Sequence, residues 1–175
     1  MTSTPSTISR TTLAKGDTVQ HPQHGLGRVR SIRLRSFGGD ESATYAELYF
    51  QREALTINLR RRDLAGTVRS PISSREASSL LDKLETSSGH LSPQWKARAN
   101  SNQAILDRGD PFECAVVYKG LRKLEAEGKL RTADRAHLGR VRVLLADELA
   151  FALDKSAAKV EVLLDKCCAP RDATH

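Results

Sequence analysis

The sequence predicts an α+β protein: a small SH3-like or Tudor-like antiparallel β-barrel followed by a five-helix bundle. Three observations carry this. The stretch Lys15 to Arg35, KGDTVQHPQHGLGRVRSIRLR, alternates tight turns with side chains of period two. From Pro71 onward the apolar spacing changes to the 3.6-residue period of helices. A chain of 175 residues, 39% hydrophobic and 28% charged, has globular composition and room for one ordinary domain or two small ones.

Residues 1–13, rich in Ser and Thr, are expected to form a disordered tail. Lys15-Gly16-Asp17 is a turn, and Thr18-Val19-Gln20 opens the first strand. In His21-Pro22-Gln23-His24-Gly25, proline fixes φ and glycine supplies the positive φ that closes a reversal. The second strand places Val29 between Arg28 and Arg30, then moves its apolar residues to the even positions, Ile32 and Leu34. That parity slip near Ser31 reads as a β-bulge, the device that curls a small sheet. Phe37-Gly38-Gly39-Asp40 makes a hairpin loop, and Ala46, Leu48 and Phe50 share one face of a strand running from Tyr45 to Gln51. After an Arg52-Glu53 turn, Leu55, Ile57 and Leu59 point inward while Thr56, Asn58 and Arg60 point outward. Arg60-Arg61-Arg62 closes a first domain spanning 14–68.

The second domain is expected over 73–168. Ser73-Ser74-Arg75-Glu76 is a capping box ahead of the stripe Ala77, Leu80, Leu81 and Leu84. Ser92-Pro93 predicts an N-cap followed by proline at the first helical position, opening a helix with little apolar content. Asp110-Pro111-Phe112-Glu113 caps the third helix, which stops at Gly128. A fourth starts at Thr132, with Leu138, Val141, Leu145, Leu149 and Ala152 inward and Arg135 and Arg142 seven apart on an outer face. Ser156 caps the last helix.

The net charge of +7 favours an acidic partner such as nucleic acid. It is concentrated: residues 1–70 and residues 93–142 each hold 11 basic and 6 acidic side chains. Cys114, Cys167 and Cys168 make neither a disulfide framework nor a zinc pattern, which fits a reducing compartment. No leader and no membrane-length apolar run is present, so a cytoplasmic chain is expected. His21 and His24 sit in a Pro-Gly turn without a ligand near them in sequence, and are expected to serve the turn, not a metal. No phosphate-binding glycine loop, nucleophile elbow or metalloprotease motif occurs, so neither catalysis nor a cofactor is expected.

Trp95, the single tryptophan, stands at the first turn of a helix beside Lys96 and Arg98. It is either a plug between helices or an exposed wedge of the kind inserted against base pairs while cations hold phosphates.

Taken in order, Lys15-Gly-Asp-x-Val, His21-Pro-x-His-Gly-x-Gly-x-Val, Tyr45, Trp95-x-x-Arg98, Gly109-Asp110 and Leu144-Leu-Ala-Asp-Glu-Leu149 resemble the CarD family of bacterial transcription regulators over about residues 14–168. The chain lacks an AT-hook tail and so is similar to the shorter CarD-like members. The resemblance implies a Tudor-like domain that docks on the RNA polymerase β subunit and a helical domain that touches promoter DNA, weakly when alone. It implies polymerase contacts at Arg35 and along Thr56, Ile57, Asn58, Leu59 and Arg60. It also implies DNA contacts at Trp95, Lys96, Arg98, Arg135 and Arg142, with the tryptophan wedged in the minor groove at the upstream edge of the −10 element of the open complex. Asn58 replaces a second polymerase-contacting arginine, and Ala97 and Asn100 fall near positions where members often hold basic residues. A monomer at the nucleoid is expected. Two other classes compete: an RNA-binding or ribosome-associated barrel, for which Tyr45 and Tyr49 would stack bases although the arginine-rich strand itself offers no interleaved aromatics, and a protein adaptor that never touches DNA.

Overall fold

The computed structural model describes residues 13–39 and 41–169, which divide into two compact units, the first ending at Ile72 and the second beginning at Ser73. The first holds strands β1 (Thr18–His21), β2 (Gly25–Arg35), β3 (Ala43–Phe50) and β4 (Leu55–Arg60) in one antiparallel sheet of order β1-β2-β3-β4. The register of β2 against β3 shifts between Val29 and Ser31, which is the bulge expected from the parity slip. Val19, Val29, Ala46, Leu48 and Phe50 face one core, with Ile32, Leu55, Ile57 and Leu59 packed against it.

The sheet is open, which corrects the expectation of a barrel. After β4 the chain makes a 3-10 turn at Arg61–Asp63 and a single helical turn, α1 (Leu64–Thr67). It then returns as an isolated bridge in which Gln20 and Arg69 exchange both backbone bonds, at 2.8 and 3.0 Å. The returning segment therefore takes the free edge of β1, where closure would have put β4. The outer edge of β4 stays open among the described residues. Residues 1–12 of the expected tail lie outside the described residues, whereas Leu13 is buried in the sheet core.

The His-Gly-x-Gly turn has a packing reason. Gly25 takes φ +73°, and a Cβ on Gly27 would stand 2.5 Å from the fully buried Phe50 ring. Gly27→Ala is thus expected to cost about 1–3 kcal/mol through overpacking, read as a lower midpoint of denaturant unfolding for the first unit. An unchanged midpoint would mean that the ring moves aside freely.

The second unit holds five helices: α2 (Ser74–Thr86), α3 (Trp95–Arg108), α4 (Pro111–Ala126), α5 (Thr132–Leu153) and α6 (Ala157–Cys168). The caps follow the sequence for α2, where Ser73 and Glu76 form a capping box, for α4 at Asp110, and for α6 at Ser156. Leu80, Leu84, Val117, Leu121, Leu145 and Leu164 are among the side chains of its buried core. Two lysines of α4 hold the loop that follows α2. Buried Lys119 donates to the carbonyls of Leu84 and Glu85 at the negative end of α2, and Lys123 donates to Ser88 O. Gly89 and Gly120 let the loop lie against α4, since a Cβ on Gly120 would fall 2.6 Å from Gly89 O.

Candidate functional site

In the first unit, the open strand β4 presents the residues expected to meet a polymerase. Thr56 and Asn58 are exposed, while Ile57, Leu59 and Arg60 are half-buried. Asn58 lies across from Glu47, which also pairs with Arg35 at 3.4 Å, so these three side chains share the outer face. The same face carries arginines on aromatics: the Arg30 guanidinium lies 3.5 Å from the Tyr49 ring centre, and Arg60 Nε donates to Tyr45 Oη at 3.0 Å. The bulge brings Arg30 over Tyr49. The aromatics beside the arginine-rich strand come from β3 and not from β2 itself, and both rings already have cationic partners.

The turn histidines have local duties. His21 Nδ1 accepts from the backbone N–H groups of Gln23 and His24, at 3.1 and 3.3 Å, so protonation would break the turn. Burial, joined by the repulsion of His24, holds His21 below the ordinary histidine pKa. Glu53 arrives from the β3–β4 turn to bond His24 Nδ1 at 2.7 Å. Among the described residues no group of three or more His, Cys, Asp and Glu could hold a metal ion, and no helix is long and apolar enough to cross a membrane.

In the second unit the site forms at the head of α3. Trp95 is 50% exposed, so it is not a plug between helices, and Lys96 Nζ lies 5.5 Å from its ring centre. The helix starts at Trp95 and not at Pro93. Arg98 Nη1 donates to Ser92 O at 3.0 Å and to Pro93 O at 3.4 Å, which ties down the segment before the helix.

Arg98 itself is a correction. The expected phosphate contact is 5% exposed and makes a two-pronged ion pair with Asp134, Nε to Oδ1 at 2.9 Å and Nη2 to Oδ2 at 2.7 Å. Asp134 Oδ2 also accepts from Arg131 N at 2.9 Å, which caps α5. The bonds to Arg98 and Arg131 hold the Asp134 carboxyl below the usual carboxylate range against the opposing effect of burial. Arg98 is a positioning residue for Trp95. The buried face of α3 carries the polar Arg98 and Asn102 ahead of the apolar Leu106, and next to it Gln103 Oε1 meets His137 Nε2 at 3.1 Å.

A groove of about 680 Å³ runs beside Trp95, lined also by Leu91, Arg98, Lys123, Lys129 and Arg131. The last three were not singled out from sequence, because they come from α4 and the loop before α5. Arg135 is exposed, whereas Arg142 lies 3.6 Å from Glu161 and 3.8 Å from Asp165. Both border a separate depression with Leu138 and Gly139, so the expected pair is brought together but half of its charge is offset by α6.

The first unit offers an open strand edge, and the second an exposed aromatic among cations. Residues 79–165 match the model of the CarD C-terminal domain, and the chain belongs to the CarD family. The family is one of transcription regulators and not of enzymes.

Proposed function

We infer that this protein docks on the RNA polymerase β subunit through β4 and stabilises the promoter open complex with Trp95 at the upstream edge of the −10 element. The observation that carries this reading is Trp95: half exposed, at the head of a helix, and anchored by a buried arginine. A surface tryptophan costs solubility unless something covers it, and a rigid aromatic beside Lys96, Lys123, Lys129 and Arg131 matches a stacked base flanked by phosphates. The four N-terminal amides of α3 add to this, since Gln94 supplies no side-chain cap and free amides attract phosphate.

Docking through β4 rests on its open edge, which offers backbone groups to a partner strand. Arg35 stands on the same outer face and pairs with Glu47, the residue across from Asn58. Arg35→Ala is expected to weaken capture of a β-subunit fragment about ten-fold, while a glutamate there would add repulsion with Glu47 and confuse the result. Capture at wild-type strength by the folded variant would place the docking face elsewhere. RNA binding by the sheet is the less favoured reading, because Arg30 and Arg60 already occupy Tyr49 and Tyr45, the rings that bases would need.

A further inference from the structure

The outer face of the sheet carries a line of cations that neither the strand edge nor the Trp95 groove uses. Arg28, Arg30 and Arg33 are all exposed, and they stand on β2, an interior strand whose backbone is paired with β1 on one side and β3 on the other. The register puts Arg28 across from Tyr49 and Arg33 across from Tyr45. The bulge between Val29 and Ser31 brings Arg30 to the same face, with its guanidinium 3.5 Å from the Tyr49 ring centre. None of the three forms an ion pair among the described residues, and Glu47, the carboxylate that β3 brings to this face, is paired with Arg35. The result is a stripe of one sign along about 15 Å of strand.

We propose that this face is a DNA contact separate from Trp95: Arg28, Arg30 and Arg33 grip the sugar-phosphate backbone of a duplex without reading its sequence. Stacking on Tyr49 fixes the plane of the Arg30 guanidinium and leaves its N–H edge outward, a fork held ready for a phosphate. A duplex carries about one negative charge per 1.7 Å of its axis, so a line of three cations meets phosphates in any register. Base stacking is closed off by the same contacts. Arg30 covers Tyr49, while Tyr45 holds Arg60 Nε on its hydroxyl and Phe37 edge-on, with ring centres 4.8 Å apart. That selects a duplex, whose bases stay inside, over a single strand. An acidic protein fits less well, because β2 has no free edge to extend and the stripe has no apolar centre on which a protein interface could be built. A strand added to the free edge of β4 lies three strand spacings from β2, so docking there and DNA here do not compete.

The test measures binding of the full chain to a labelled duplex of about 25 base pairs without promoter sequence, over a range of salt concentrations. Wild type is compared with R28A/R30A/R33A and with R75A/K155A/K159A, which removes the same charge from exposed positions of the helical unit. Circular dichroism checks the fold of each. The β2 variant is expected to bind about ten-fold more weakly or worse, and its slope of log affinity against log salt to fall by about two to three, as three phosphate contacts are lost. The control is expected to stay within about two-fold of wild type with its slope unchanged. Equal losses in the two variants mean that net charge alone is felt, and overturn the proposal. A β2 variant that binds as wild type does overturns it too and leaves the stripe to an acidic protein. So does tighter binding of a single strand of the same length, since that requires open rings.

Discussion

Replacing Arg98 with alanine is expected to destabilise the helical unit by about 3–5 kcal/mol, the range found when one partner of a buried ion pair is removed. The loss is large because Asp134 is only 1% exposed, and without the guanidinium it keeps one backbone donor for a buried negative charge. Ser92 O and Pro93 O lose their donor in the same step, so the segment that sets Trp95 loosens as well. Lysine at position 98 rescues part of the loss only, since an ammonium cannot make the forked contact. The pair also fixes an acid limit. Asp134 titrates below its unfolded value of about 3.9, so its contribution is complete above that pH and drains away as pH falls through the folded pKa. Wild type should lose stability below about pH 4, and the Arg98→Ala variant should show less of that acid dependence. The salt slope of DNA binding separates this account from a phosphate contact. It should stay at the wild-type value when Arg98 is removed, measured where the variant is folded, and a slope reduced by about one would return Arg98 to the DNA.

In sequence, Arg98 reads as exposed. Lys96 and Arg98 follow closely on a tryptophan, and local charge density reads as a solvated patch. The residue that changes this, Asp134, is 36 positions away and on another helix. A local signal did exist: residues 98, 102 and 106 share a helical face, and a helix with so few apolar residues must bury something polar. Strand parity, the bulge near Ser31, the cap at Asp110 and the capping box at Ser73 were legible because each is written within a few residues. That the sheet stays open was not. The free edge of β1 is taken by one bridge between Gln20 and Arg69, made by a segment too short to carry any period. Lys123, Lys129 and Arg131 escaped notice for the same reason, as only the packing of α4 and α5 against α3 gathers them beside Trp95.

Removing the Trp95 ring is expected to shorten the lifetime of the promoter open complex about ten-fold or somewhat more without loosening polymerase binding. Contact between a base and an aromatic side chain is worth about 1–3 kcal/mol, and ten-fold in lifetime corresponds to about 1.4 kcal/mol. The effect is expected because the ring is already placed. Arg98 and Asp134 fix the chain ahead of α3, the lysines of α4 fix the loop before it, and little ordering remains to be done on binding. The helical unit should bind free DNA weakly and with strong salt dependence, because its cations are few and several are paired within the unit. The proposed docking would change the arithmetic, since a tethered second contact acts at high effective concentration. Lys129→Ala and Arg131→Ala should each weaken binding evenly across sequences, as phosphate contacts position a protein and do not read bases. The measurement is the decay of heparin-resistant open complexes on one promoter with each variant. If Trp95→Ala leaves that decay unchanged while the protein is folded and polymerase-bound, the ring is not a wedge, and the exposed tryptophan belongs to a protein contact instead.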